Sequence, residues 1–119
     1  MIGNRSKLLL VPFCALMVLV GCTNDPKMSE PLKPGDAYAG KKIYAHRCAP
    51  CHGETGKADT PIAKKLQVRD LSSPQWQQGA TDEGIKKIVK EGKEKMPRFG
   101  RLKPQELEDI VAYVRSLGK

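Results

Sequence analysis

Hydrophobic and polar positions divide this chain into distinct stretches. Residues 8–20 (LLLVPFCALMVLV) are an apolar run of thirteen. Residues 23–35 (TNDPKMSEPLKPG) hold three prolines, a glycine and few apolar side chains. That composition predicts a tether, not a folded element, with a reach of about 40 Å at about 3.1 Å per residue. Folded structure is expected from Asp36, a good N-cap, with a first helix over 37–47 interrupted only by Gly40. Glycine costs about 1 kcal/mol against alanine in a helix, so Gly40 points to close backbone contact with another element. Residues 53–80 are rich in Gly, Pro, Ser, Thr and Gln and read as irregular loop, with one short helical turn at 62–66. Thr81 opens a second helix as N-cap, with Asp82 and Glu83 at its positive end. Its buried stripe is expected at Ile85, Ile88 and Val89, and Gly92 fits its end. The third helix begins at Pro104, a favoured first position. Its apolar stripe is Leu107, Ile110, Val111, Val114 and Leu117, and Gly118 can end it. No segment alternates as a strand does and no repeat is present. The expected fold is small and all-α, three main helices with long loops.

Composition sharpens the picture. The chain has 119 residues, formal charge +8, 39% apolar residues and only six aromatics. One domain is expected from that length. Large apolar side chains are few, and about a third of residues 36–119 read as irregular. Domains this small often need a disulfide, a metal or another staple. The positive charge alone would suggest nucleic acid, but no stretch interleaves bases with exposed aromatics as a strand-binding groove would.

The N-terminal run is too short to span a bilayer comfortably, since a spanning helix needs about twenty residues. Preceded by Arg5 and Lys7, it fits the apolar region of a secretory signal. It ends in Leu19-Val20-Gly21-Cys22, which resembles the lipobox of bacterial lipoproteins, where the cysteine is lipidated and becomes the new N-terminus. An ordinary signal or an uncleaved anchor is the alternative. The expected organisation is a signal over 1–21, a tether over 22–35 and a domain over 36–119. Cleavage removes Arg5, Lys7 and Cys14 and lowers the formal charge to +6. Met28 reads as solvated linker. Export argues further against nucleic acid.

The chemistry is concentrated in Cys48-Ala49-Pro50-Cys51-His52. C-x-x-C-H is an attachment motif for c-type haem. Two thiols three residues apart can each add to one vinyl group of a porphyrin edge, and the adjacent histidine can turn beneath the ring to bind iron. Ligation needs neutral imidazole, so it competes with protonation. A thioredoxin-like dithiol would need a βαβ pattern. A zinc site would need a fourth ligand beyond these and His46. Export, the thin core and the five-residue match favour haem c, one per chain.

Here the chain resembles the class I cytochromes c, over residues 35–117, nearly the whole mature domain. Gly40 and Tyr44 stand eight and four residues before Cys48, as a glycine and an aromatic do in that family. Ile110 and Tyr113 match the face of the family's last helix that crosses the first. The resemblance implies a haem-enclosing fold and a sixth iron ligand at Met96, in Lys95-Met96-Pro97, with Pro97 stiffening the loop. Soft thioether sulfur favours ferrous iron, so a Met/His pair raises the reduction potential. The alternatives at that position are Lys93, Lys95, His46 or no ligand. Thr60-Pro61 resembles the family's Gly-Pro, which implies that the Pro61 carbonyl accepts the N–H of His52, although Thr60 replaces the glycine. Arg69-Asp70-Leu71 and Trp76 resemble a segment along the lower haem edge. That implies propionate contacts from Trp76 and Arg69.

The implied function is single-electron transfer between redox proteins outside the cytoplasmic membrane, by a lipid-anchored cytochrome that is not itself an enzyme. The alternatives are a permanent haem subunit of a membrane oxidase or reductase, or a haem sensor or minor peroxidase. Lys86, Lys87, Lys90, Lys93 and Lys95 form either a docking rim for acidic partners or an ordinary solvated helix face.

Overall fold

The computed structural model describes residues 30–119, in which six helices and no strand occur. The signal, Cys22 and Met28 lie outside the described residues. The helices are α1 (Ala37–Arg47), α2 (Ala49–His52), α3 (Pro61–Leu66), α4 (Pro74–Gly79), α5 (Asp82–Glu91) and α6 (Pro104–Ser116). The three longest are the three expected. Each starts with a side chain satisfying an orphan backbone donor. Asp36 Oδ1 accepts the Tyr38 N–H at 2.8 Å, and Thr81 Oγ1 accepts the Gly84 N–H at 3.0 Å. At α6, Glu106 reaches back to the Lys103 N–H at 2.7 Å. α6 ends at Ser116, with Leu117 in right-handed geometry as its C-cap.

The main contact is the crossing of α1 on α6. Gly40 lies at it. A Cβ there would collide with the Asp109 carbonyl oxygen, so any side chain would drive the helices apart. Tyr44 and Ile110 are the two large side chains buried almost completely, and Tyr44 meets Tyr113 edge to face at 5.0 Å. Leu107, Val111, Val114, Ile85, Val89 and Leu71 complete the core with Cys48 and Ala49. The chain entering α1 is also fastened to α6. The Lys33 N–H donates to Gln105 Oε1 at 2.9 Å, and the Asp36 N–H donates to the buried Asp109 carboxylate at 2.9 Å.

Two expectations need correction. Ile88 is 37% exposed, because α5 packs chiefly on α6 and presents only Ile85 and Val89 to it. Lys86 does not stand free on a solvated face. Its ammonium pairs with Glu108 of α6 at 2.7 Å and with Glu83 at 2.5 Å, leaving Lys87 and Lys90 exposed. The stretch 53–80 also holds more order than its composition suggests, with α4 as well as the turn expected near 62–66.

Candidate functional site

α1 and α2 make the site by meeting at Cys48. The Cys48 N–H closes α1 on the Tyr44 carbonyl at 2.8 Å. The Cys48 carbonyl then accepts from Cys51 at 3.1 Å and from His52 at 2.8 Å. One helical turn thus carries both sulfurs and the imidazole, and the sulfurs share a face because they are three residues apart. Cys48 is buried, Cys51 is half-buried, and neither forms a disulfide. Burial pushes the Cys48 thiol up to about 11. An activated redox dithiol needs the opposite, a thiolate at neutral pH.

His52 is half-buried, and its Nδ1 lies 3.3 Å from the Arg69 carbonyl oxygen. That partner assigns the proton to Nδ1 and leaves the Nε2 lone pair for a metal. Burial holds the imidazole below its ordinary pKa, against the raising effect of the Arg69 carbonyl, and so favours the ligating neutral form. The ring's partner is therefore Arg69 and not Pro61, whose carbonyl was the expected acceptor. Arg69 enters through its backbone, while its side chain is exposed.

The loop after His52 is fixed by the same residues. Tyr44 Oη donates to the Gly53 carbonyl at 2.9 Å, and the Ala58 N–H donates to the His52 carbonyl at 2.9 Å. Gly53 sits at φ +81, where a side chain would be strained. Thr60 Oγ1 donates to the Cys51 carbonyl at 3.2 Å and accepts the Ala63 N–H at 3.0 Å. Thr60 is extended, so the turn does not need the glycine that the resemblance places there. The left-handed position falls at Ala58 instead.

Met96 is presented by a tight turn. Lys93 and Met96 exchange backbone hydrogen bonds of 3.2 and 2.9 Å, with Glu94 at φ +53 between them. Gly92, at φ +78, permits the approach, since a Cβ there would lie 2.8 Å from the Met96 carbonyl oxygen. Beyond Pro97, the Phe99 N–H donates to the Val89 carbonyl at 2.9 Å and returns the loop to α5. Met96 is half-buried against the core, whereas Lys93, Lys95 and His46 are exposed. Trp76 also packs on the core, from α4, and its indole N–H meets no acceptor among the described residues. Pro61 is exposed at the start of α3.

A cavity of about 700 Å³ lies between Arg47, at the end of α1, and residues 98–106, with none of Cys48, Cys51, His52 or Met96 in its lining. Phe99 and Leu102 supply apolar wall, and Arg47, Arg98, Arg101 and Lys103 supply cations, with Glu106 the one acidic lining residue. Among the described residues, no three His, Cys, Asp or Glu side chains converge as the ligands of a bare metal ion would. Two unpaired thiols, one imidazole nitrogen with a free lone pair and half-buried apolar side chains instead fit a porphyrin held through its edge and its iron.

The sequence model of the family described as cytochrome c oxidase, cbb3-type, subunit III matches residues 35–114. The chain belongs to the class I c-type cytochromes. This cytochrome is 40% identical over 92 residues to cytochrome c6 of Nostoc sp. (strain PCC 7120), covering 76% of this chain and 78% of that one. It is 36% identical over 90 residues to the cbb3-type cytochrome c oxidase subunit FixP of Azorhizobium caulinodans, covering 71% of this chain and spanning 29% of that subunit's length. Among solved structures, the KustC0563 c-type cytochrome superposes with TM-score 0.61 at 32% identity, covering 67% of this chain and 98% of that one. Cytochrome c6 from the diatom Phaeodactylum tricornutum gives TM-score 0.53 at 35% identity, covering 71% and 95%. The cytochrome's cofactor is haem c, covalently attached.

Proposed function

We propose that this cytochrome is a lipid-anchored, monohaem electron carrier working outside the cytoplasmic membrane. One observation carries the reading: a single turn displays two free thiols and an imidazole whose Nδ1 is already engaged by the Arg69 carbonyl. Cys48 and Cys51 would hold haem c through thioether links, and His52 and Met96 would ligate its iron. Bound there, haem c supplies an iron that changes by one electron. The Arg69 carbonyl fixes the His52 ring and raises its basicity. Trp76 donates its indole N–H to a propionate, and the exposed Arg69 side chain, seven residues earlier, supplies a cation. Pro61 contributes by starting α3 and not as an acceptor for His52. With both His52 and Met96 ligating the iron, no ligand position would be left for a substrate, and the protein would catalyse no turnover of its own.

The signal over 1–21 directs export, and lipid on Cys22 anchors the domain through the tether over 22–35. Search is then confined to the membrane surface, which raises effective concentration near membrane enzymes. The partner is a redox protein with an acidic face. The cations that meet it stand around the cavity, at Arg47, Arg98, Arg101 and Lys103, together with exposed Lys87 and Lys90. Lys86, held by two carboxylates, takes no part.

The test is redox-monitored visible and near-infrared spectroscopy of the purified native protein, with acid-acetone extraction of a separate portion. Retained haem and the weak Met–Fe(III) charge-transfer band are expected. Haem lost to the acetone would overturn the covalent assignment, and a missing band would remove Met96. A second reading, a permanent oxidase subunit, is favoured by the match to the cbb3 subunit III family and to FixP. Purification in mild detergent separates the two: fixed-stoichiometry co-elution means a subunit, and elution alone means a shuttle.

A further inference from the structure

We infer that Arg115 is a positioning residue that latches α4, the helix carrying Trp76, onto α6. α4 has no buried residue of its own. Trp76 is its half-buried apolar contact with the core. Polar bonds hold the rest, and most come from one guanidinium. Arg115 Nη1 donates to the Gln77 carbonyl at 2.6 Å and to Gln77 Oε1 at 3.2 Å. Nη2 donates to the Ala80 carbonyl at 2.5 Å, and Nε donates to Asp82 Oδ1 at 2.8 Å. Gln77 adds its own pair, from Nε2 to the Leu71 carbonyl at 2.7 Å and to the Val114 carbonyl at 2.9 Å.

The chemistry suits a latch. The carbonyls of Gln77 and Ala80 are at the C-terminal, electronegative end of α4, where helical carbonyls lack partners and a cation is favoured. Asp82 opens α5, so the same side chain also fixes the joint between α4 and α5. A planar fork can serve these acceptors together, whereas an ammonium on a flexible stem cannot. Arg115 sits on α6 beside the buried Val114, which makes it a rigid base. A segment with few buried apolar contacts opens first when its polar ties are cut. In this domain that segment is 72–81, and its opening carries Trp76 away from the core.

The link from Trp76 to the haem rests on the propionate contact proposed above. The latch itself does not, and the experiment separates the two. Hydrogen exchange by mass spectrometry is compared between the full-length holoprotein and its Arg115→Ala and Arg115→Lys variants. Midpoint potentials are measured for these, for Trp76→Phe and for the Arg115→Ala/Trp76→Phe double variant. In Arg115→Ala, exchange across 72–81 should rise roughly tenfold, the factor given by losing about one net hydrogen bond. The cores of α1 and α6 should be unchanged, and Arg115→Lys should fall between. The double variant should show the potential of Trp76→Phe alone, because Arg115 acts through Trp76. Unchanged exchange in 72–81, or an equal rise throughout the domain, overturns the latch. Should Arg115→Ala not accumulate, Arg115→Lys carries the same comparison. If Trp76→Phe leaves the potential unmoved while local exchange still rises, the propionate contact is wrong and the latch stands.

Discussion

At the scale of single residues, the site depends on backbone groups as much as on side chains. Both thiols and the imidazole fall within five consecutive residues, so the motif was readable from the letters alone. The group that orients the imidazole is the Arg69 carbonyl, seventeen residues away, and a carbonyl has no signature in sequence. For the same reason Pro61 was a reasonable expectation and a wrong partner. Met96 is the residue whose role is most directly testable. Met96→Ala should keep haem attached through Cys48 and Cys51, lower the reduction potential and let carbon monoxide bind the reduced protein. An unchanged potential by redox titration would remove the sulfur from the iron. Glycine supplies a second residue-scale test. Gly40→Ala places a methyl against the Asp109 carbonyl and should destabilise the holoprotein by about 1–3 kcal/mol, the range for overpacking. A denaturant midpoint equal to the native protein's would show that α1 and α6 can part without cost.

At the scale of elements, α5 and α6 were legible because each combines a periodic apolar stripe with a start signal, and α1 because the Asp36 N-cap precedes a run with few breakers. α4 was not, because it has no buried residue and so no stripe. One local cue was available: Ser73-Pro74 pairs an N-cap residue with proline at the first helical position, as Thr60-Pro61 does for α3. The ties between elements were illegible for another reason. Lys86 reads as solvated from its own helix, and only tertiary structure brings Glu108 of α6 to it. That pair yields a signed prediction. Glu108 first, and then Glu83, raise the pKa of Lys86 above the ordinary 10.5, so the folded state favours the charged form. The contribution is complete below 10.5 and is lost as pH rises through the folded-state value. Lys86→Met should therefore cost up to about 1 kcal/mol near neutral pH. Thermal melts should show the deficit narrowing only above pH 10.5. A deficit that stayed unchanged as pH rose well past 10.5 would assign it to lost side-chain packing.

At the scale of the whole molecule, charge and core size are two separate consequences of a small basic domain. The formal charge of +8 is not spread evenly, because Lys86 and Arg115 are neutralised by carboxylates while Arg47, Arg98, Arg101 and Lys103 surround one cavity. Electron transfer to an acidic partner should therefore slow about tenfold or more from low to high ionic strength. Charge reversal at Arg98 and Arg101 should flatten that dependence, while reversal at Lys86 should leave it intact. Core size makes the stronger claim. Among the described residues, only Tyr44 and Ile110 of the large side chains are buried almost completely, and Ile62 and Ile88 remain 44% and 37% exposed. Protein alone thus leaves apolar surface uncovered in a small domain, where the surface buried on folding gives little margin. If haem is the missing part of the core, Cys48→Ala/Cys51→Ala should lose the cooperative melt along with the pigment, with the helical far-ultraviolet signal only weakened. The α1–α6 crossing argues that residual helix survives locally, so the decisive observable is cooperativity and not helix content. A sharp, two-state melt of the colourless variant would place the domain's stability in the polypeptide and reduce haem to a passenger.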